Sequence, residues 1–139
     1  MQLTSDEARS RLTGARVLRL ATVDATGAPH AVPATFAVEG DTVVIAVDHK
    51  PKRHRDLKRL RNIEANPKVC VLADAYDDDW DRLWWVRGDG TARIVDGENG
   101  REAIDRLREK YRPYRELRPE GPVIEIAITR WTGWRAAPG

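Results

Sequence analysis

Six runs of this chain combine β-branched and aromatic residues with a tendency for apolar and polar positions to alternate. In the last run Ile124, Ile126 and Ile128 are separated by single smaller or more polar residues. A period of two, bounded by turn residues, is typical of half-buried β-strands. The six runs are "RVLRLATVD", "HAVPATFAVEG", "DTVVIAVD", "KVCVLADAY", "RLWWVRGDGTARIVDG" and "VIEIAITRWTGWRA". The sequence therefore predicts a mainly β protein.

Short glycine-containing turns separate the first three runs. Gly40-Asp41 suits a two-residue hairpin with glycine at its first position, and "ATGAP" lies between the first two runs. These turns predict an antiparallel meander. In the fifth run Gly88 and Gly90 predict a bulge or a sharp bend.

Two helices are predicted in the first half of the chain. Thr4 or Ser5, followed by acidic residues, is a helix start signal, and the next helix has Leu57, Leu60 and Ile63 at helical spacing. Asn66-Pro67 ends that helix, because proline disfavours an α conformation in the residue before it.

A third helix is predicted over residues 98–112, with Asp96 as its cap and Pro113 as its stop. Six antiparallel strands interrupted by helices favour a closed barrel, since closure removes exposed sheet edges. The chain of 139 residues has the length of one domain, which we place at residues 1–139. A barrel this small is filled by its own side chains, so a ligand is expected in an outer groove.

Charge is unevenly distributed along a chain whose formal net charge is only +2. Between residues 50 and 68, eight Lys and Arg stand against Asp56 and Glu64, which gives +6. Five aspartates without an intervening base follow in the segment 74–81. The two blocks can neutralise each other, within the chain or across a dimer. Alternatively, the basic loop and helix N-terminus bind phosphate through side chains, backbone N–H groups and the helix dipole.

Other protein classes are disfavoured by composition. Cys70 is the only cysteine and lies in an apolar run, so we expect a buried core thiol and neither an internal disulfide nor a cysteine-based metal site. His49 and His54 do not have the spacing of a usual metal-ligand pair. The sequence has no apolar leader and no run of 18 apolar residues, so we expect a cytoplasmic protein that does not bind membranes. A nucleic-acid-binding module is disfavoured because the acidic segment follows the basic one.

The order of these segments resembles the split β-barrel superfamily of flavin- and deazaflavin-dependent oxidoreductases, which includes the pyridoxamine 5′-phosphate oxidases. Within it the chain is most similar to the small proteins that bind the deazaflavin coenzyme F420. The resemblance runs through "RLATVDATGAPHAVPATFAVEGDTVVIAVD", "RDLKRLRNIEANPKVCVLAD", "YDDDWDRLWWVRGDGTARIVDG" and "VIEIAITRWTGWRA". It implies a six-stranded antiparallel split barrel that forms a homodimer, with cofactor sites at the subunit interface.

The resemblance also implies which residues bind the cofactor phosphate. Arg53, four residues before Leu57, and Arg55 match the basic positions of the family pattern. Lys50 and Lys52 are assigned supporting roles, and His54 belongs to the same loop.

The resemblance implies two further groups of residues, one that contacts the cofactor ring and one that covers it. The cofactor ring is expected against the second and third strands, at Pro33, Ala34, Thr35 and Phe36 and at Val47, Asp48 and His49. Three aromatic residues of the acidic segment and the strand after it, Tyr76, Trp80 and Trp84, are expected to cover the partner subunit's site or to pack in the dimer.

The implied reaction is hydride transfer between reduced coenzyme F420 and a small unsaturated substrate. The length of the basic block favours F420 over FMN, because F420 carries more anionic groups. An FMN-dependent enzyme and a deazaflavin carrier without catalysis remain alternatives, as does a haem protein with a ligand from His30 or His49. The sequence contains no clear catalytic side chain; His49, near the expected ring, is the candidate general acid.

Overall fold

The computed structural model describes residues 1–47 and 57–137. Within them the chain forms four α-helices, seven strands and one short 3₁₀ turn. The helices are α1 (Ser5–Gly14), α2 (Lys58–Ala65), α3 (Arg101–Lys110) and α4 (Arg112–Glu116), and the 3₁₀ turn spans Trp80–Arg82. The strands are β1 (Leu18–Val23), β2 (Pro29–Ala34), β3 (Ala37–Glu39), β4 (Thr42–Ala46), β5 (Lys68–Ala75), β6 (Trp84–Val95) and β7 (Val123–Arg135).

All seven strands lie in one antiparallel sheet, in the order β2-β1-β5-β6-β7-β4-β3. The mainly β prediction is confirmed, but the prediction of six strands in a closed barrel is wrong for the described residues. The second sequence run divides into β2 and β3, because Thr35 and Phe36 interrupt it. Since β2 and β3 are the two edges of the sheet and do not pair with each other, the sheet is not closed.

The predicted meander is therefore also wrong, although its hairpins are correct. β1 pairs with β2 and β3 pairs with β4 through the two-residue turn Gly40-Asp41, in which Gly40 has φ +57°. Because only Thr35 and Phe36 join β2 to β3, the two sheet edges at that corner are at most roughly 11 Å apart, three Cα–Cα steps. The sheet must curl strongly to bring its edges together there.

The long strands β6 and β7 carry the predicted bulge. Their register shifts between Asp89 and Gly90. A Cβ at Gly90 would lie 2.3 Å from the carbonyl oxygen of Ala127, so only glycine fits the close approach of the two backbones.

Helices α1 and α2 pack against the main core, while α3 covers a second core on the other face of β4. The predicted cap of α1 is present: the Thr4 hydroxyl accepts from the Glu7 N–H (3.1 Å), and the Glu7 carboxylate accepts from the Thr4 N–H (3.0 Å). In α2 the side chain of Asn62 is buried and donates to the Thr22 hydroxyl at 3.0 Å, which ties this helix to β1. Strand β4 is buried on both faces because its residues contribute to both cores.

Three smaller predictions need correction. Cys70 is half-buried on the face of β5 opposite the core, where burial raises the pKa of its thiol. Gly100 is the N-cap of α3, and Asp96 instead accepts from the N–H of Asn99 (2.8 Å) in the turn before it. Pro113 lies in the first turn of α4, a position that tolerates proline.

Candidate functional site

An open pocket of about 360 Å³ lies at the corner between β2 and β3. Its lining is predominantly apolar and comes from the chain before β1, the corner itself and the α3–α4 junction. The lining residues are Val17, Pro33, Ala34, Thr35, Tyr111, Pro113 and Tyr114. Its volume is within the range of small-ligand sites in proteins. We call it the corner pocket.

The hydroxyl of Tyr111 fixes the corner. It accepts a hydrogen bond from the backbone N–H of Phe36 (3.1 Å) and donates one to the carbonyl oxygen of Arg16 (2.9 Å). Burial raises the pKa of Tyr111, and the Phe36 bond opposes that rise. One phenol therefore joins the end of α3 to the segment before β1 and to the connection between β2 and β3.

A second tyrosine supplies the polar part of the corner pocket. The Tyr114 hydroxyl lies 2.7 Å from the hydroxyl oxygen of Thr35, and either atom can be the donor. The rings of Tyr111 and Tyr114 pack edge to face, with centroids 5.8 Å apart. A flat ligand in this pocket would contact apolar side chains and one pair of hydroxyl groups.

Five of the seven residues predicted for the cofactor ring are described. Pro33, Ala34 and Thr35 line the corner pocket. The side chains of Phe36 and Val47 are buried, and their backbone N–H groups already donate to the Tyr111 hydroxyl and to the Pro122 carbonyl oxygen (3.0 Å). Neither Phe36 nor Val47 lines the pocket, and Phe36 contacts it through the Tyr111 hydroxyl. The other two, Asp48 and His49, lie outside the described residues.

The predicted phosphate-binding residues Lys50, Lys52, Arg53, His54 and Arg55 also lie outside the described residues. Ala37 is opposite Val44, so Thr35 lies beside the end of β4. The corner pocket is therefore at the end of the sheet where β4 ends, at Ala46.

Two cations lie beside the corner pocket. The Arg16 guanidinium carbon is 4.7 Å from the centroid of the Tyr111 ring, and the Lys110 ammonium nitrogen is 5.2 Å from the same centroid. Burial, and secondarily the charge of Arg16, lowers the pKa of Lys110 to about 8. The wall formed by Tyr111 is thus electropositive.

The aromatic residues of the acidic segment differ in exposure. Tyr76 is 73% exposed and Trp80 is 67% exposed. Trp84 is half-buried against the core, with the Arg11 guanidinium carbon 5.4 Å from its ring centroid. Tyr76 and Trp80 are exposed to solvent, whereas Trp84 packs against the core.

His30 does not line the corner pocket. It lies on β2 opposite Thr22, and its Nδ1 atom is buried without a hydrogen-bond partner among the residues that the structure describes.

Sequence reasoning missed four residues of the corner pocket. For these residues the sequence predicts only that Val17 lies in the first strand run, that Tyr111 lies in the third helix and that Pro113 ends it, and it predicts nothing for Tyr114. Their one local signal is the segment "KYRPYRE", in which two tyrosines flank a proline after a helix. That signal does not say what the tyrosines contact, because their partners lie about 80 residues earlier in the chain.

The chain belongs to the pyridoxamine 5′-phosphate oxidase family, because the model of that family matches residues 4–135. This confirms the coarser part of the sequence-based resemblance. No curated protein matches.

Several solved structures have the same fold at low sequence identity. A FAD-binding protein from Mesorhizobium loti is 21% identical, with a TM-score of 0.73, covering 96% of this chain and 95% of that one. A FAD-binding protein from Mycobacterium smegmatis is 22% identical, with a TM-score of 0.67 and coverage of 99% and 100%. A heme storage protein from Vibrio cholerae is 19% identical, with a TM-score of 0.68 and coverage of 94% and 92%. At these identities the similarity establishes the fold alone.

Among the helices of the described ranges, none has both the length and the apolar character needed to cross a bilayer.

Proposed function

We propose that this protein is an oxidoreductase that binds a flavin-type ring in the corner pocket, with the deazaflavin coenzyme F420 as its cofactor. The observation that carries the proposal is the open apolar pocket with one pair of hydroxyl groups at the corner between β2 and β3. Membership of the pyridoxamine 5′-phosphate oxidase family supports the oxidoreductase class.

The residues of the pocket fit a planar ring. Val17, Pro33 and Ala34 offer apolar contact, and the hydroxyl groups of Thr35 and Tyr114 offer hydrogen bonds to a polar edge. Lys50, Lys52, Arg53 and Arg55 are proposed to bind the phosphate and the anionic tail, a set of cations larger than one phosphate requires.

When bound, the cofactor would supply hydride chemistry, and the substrate would be a small unsaturated compound. The protein's own contribution to the reaction would be to position the cofactor ring. Tyr111 holds the β2–β3 connection through the Phe36 N–H, so the wall against the ring is fixed before binding. Thr35 and Tyr114 would orient the polar edge of the ring, and the apolar lining would reduce water contact at its face.

We further propose that the functional unit is a homodimer. The support for it is the exposure of Tyr76 and Trp80 within an acidic segment, opposite in charge to the basic segment of a second copy. In such a dimer these two aromatic residues would cover the partner's cofactor.

The direct test is fluorescence titration of the purified protein with coenzyme F420 and, separately, with FMN and FAD. Preferential binding of F420 supports the proposal. Preference for FMN or FAD would assign the protein to the flavin-dependent branch, and binding of none would contradict a flavin-type cofactor. A parallel titration with haem, followed by the Soret band, tests the His30 or His49 alternative.

Arg53→Ala is expected to weaken cofactor binding by about 1.5–3 kcal/mol if Arg53 makes a charge-assisted phosphate bond. Arg130→Ala is the matched control, because Arg130 is an exposed arginine on β7, outside the pocket. An equal effect of both changes would assign the loss to general charge. Turnover with reduced F420 and a panel of conjugated substrates then separates an enzyme from a carrier, since a carrier binds the coenzyme but does not consume it.

A further inference from the structure

The wall formed by Tyr111 holds two positive charges that are close to each other. The charged groups of Arg16 and Lys110 both lie within cation–π range of the Tyr111 ring, at 4.7 and 5.2 Å from its centroid. Tyr111 itself lines the corner pocket, and Val17, the residue after Arg16, lines it as well. The two charges are therefore separated from the pocket by about one side chain.

Neither charge is neutralised by a carboxylate in the part of the chain that the structure describes. The Arg16 guanidinium donates to the carbonyl oxygen of Lys110 at 3.0 Å. The Lys110 ammonium donates to the carbonyl oxygen of Thr13 at 3.4 Å and lies 3.7 Å from the centroid of the Phe36 ring. By contrast, three neighbouring arginines are paired with acids: Arg106 with Glu39, Arg112 with Glu116 and Arg118 with Asp105.

Burial and the repulsion from Arg16 lower the pKa of Lys110 to about 8, so most Lys110 side chains are charged at pH 7. Two like charges held together without an acid create a positive potential in the adjoining space. An anionic group in the corner pocket would reduce their repulsion, whereas a neutral group would not.

We propose that Arg16 and Lys110 make the corner pocket selective for planar rings that carry negative charge over neutral rings of the same shape. The selectivity is a property of the pocket wall. Its application to a flavin-type ring rests on the function proposed above. For such a ring, the selectivity predicts an effect on the reduction potential. For FMN or FAD, the wall would stabilise the anionic reduced ring more than the neutral oxidised ring, which raises the reduction potential.

The expected effect of each charge on ligand affinity follows from Coulomb's law. A unit charge about 8 Å from the ligand, at the intermediate dielectric of a partly exposed site and at physiological salt, changes affinity about threefold to tenfold. For a two-electron couple, a tenfold preference for the reduced form corresponds to about 30 mV.

The test uses two probes of nearly equal shape, 2-naphthoate and its uncharged amide 2-naphthamide, with the full-length protein and no cofactor. Isothermal titration at pH 7 gives the dissociation constant of each. We expect naphthoate to bind at least threefold more tightly than naphthamide. This ratio of the naphthoate affinity to the naphthamide affinity should fall when salt is raised. Equal affinities, tighter binding of the amide, or no binding of naphthoate would overturn the proposal.

Variants assign the selectivity to these residues. Arg16→Gln retains a side-chain donor for the Lys110 carbonyl and removes the charge, so the naphthoate-to-naphthamide ratio should fall about threefold or more. Lys110→Gln should act in the same direction, and its circular dichroism spectrum reports whether the α3 end is intact. Arg19→Gln is the control, because Arg19 is an exposed arginine on β1, outside the pocket. An unchanged ratio in Arg16→Gln, or an equal fall in Arg19→Gln, would refute the assignment.

The two proposals fail separately. A preference for naphthoate without any binding of F420, FMN or FAD would uphold the charge selectivity and reject the cofactor. Cofactor binding with no preference for naphthoate would uphold the cofactor and reject the charge selectivity. Where a flavin binds, Arg16→Gln should lower its reduction potential relative to the wild-type protein, a readout that does not depend on turnover.

Discussion

Replacing Tyr111 by phenylalanine tests whether one hydroxyl group holds the corner between β2 and β3. The change removes two hydrogen bonds, from the Phe36 N–H at 3.1 Å and to the Arg16 carbonyl oxygen at 2.9 Å, and leaves the ring itself in place. The bond from the Phe36 N–H is buried, so that donor would lose its partner without access to water. An unsatisfied buried donor costs about 1–3 kcal/mol.

We therefore expect Tyr111→Phe to lower the free energy of unfolding by about 2 kcal/mol, which is roughly 6–8 °C in Tm for a domain of this size. Tyr114→Phe is the matched control. Its hydroxyl bonds to Thr35 at a partly exposed position, where water can replace it, so the loss should stay below about 1 kcal/mol.

Urea denaturation followed by tryptophan fluorescence measures both variants. If Tyr111→Phe costs no more than Tyr114→Phe, then the Phe36 N–H is not dependent on the phenol and the reasoning is refuted. The dissociation constant of any cofactor found by titration should also rise in Tyr111→Phe, because the pocket wall would no longer be fixed before binding.

Two further predictions concern glycine packing and acid stability. Gly90→Ala should destabilise the protein by at least about 2 kcal/mol, because its Cβ would lie 2.3 Å from the Ala127 carbonyl oxygen; Gly14→Ala, with no atom within 4 Å, should be neutral or slightly stabilising in the same urea assay. The pKa of Asp24 is lowered to about 2, mainly by the hydrogen bond from the Thr26 hydroxyl (2.6 Å), so its contribution to stability is present above about pH 4 and is lost as pH falls towards 2. In Asp24→Asn the urea midpoint should therefore change less between pH 4 and pH 2 than in the wild-type protein, and an unchanged pH dependence would contradict this assignment.

The sequence determined the elements that depend on local pattern. The capping box at Thr4 and the proline after Asn66 delimit helices through neighbouring residues alone, and both were predicted correctly. The two-residue turn at Gly40 and the bulge beside Gly90 were also predicted, because glycine marks positions where other residues are strained or too large. The family resemblance followed from the order of such elements.

The arrangement of the sheet was decided only by the tertiary structure. β2 and β3 are separated by two residues in the chain, and a local pattern cannot show that they occupy opposite edges of one curled sheet. The partners of β1 and β4 include β5 and β7, which come from distant parts of the chain, and burial of both faces of β4 depends on α3. Strand order is set by such long-range burial, which strand propensity does not encode.

The corner pocket was also decided mainly by the tertiary structure. Pro33, Ala34 and Thr35 were predicted from the resemblance, but the other wall comes from the α3–α4 junction, where the sequence predicts only that Tyr111 is helical and that Tyr114 follows the helix. Their contacts with Thr35 and Phe36 exist because α3 packs on β4 and the α3–α4 junction lies at the β2–β3 corner. The sequence alone thus determined which local elements form and which family they indicate. Which side chains meet at the pocket was decided by the packing of α3 on the sheet, because contacts between residues so far apart in the chain form only when the whole core is buried.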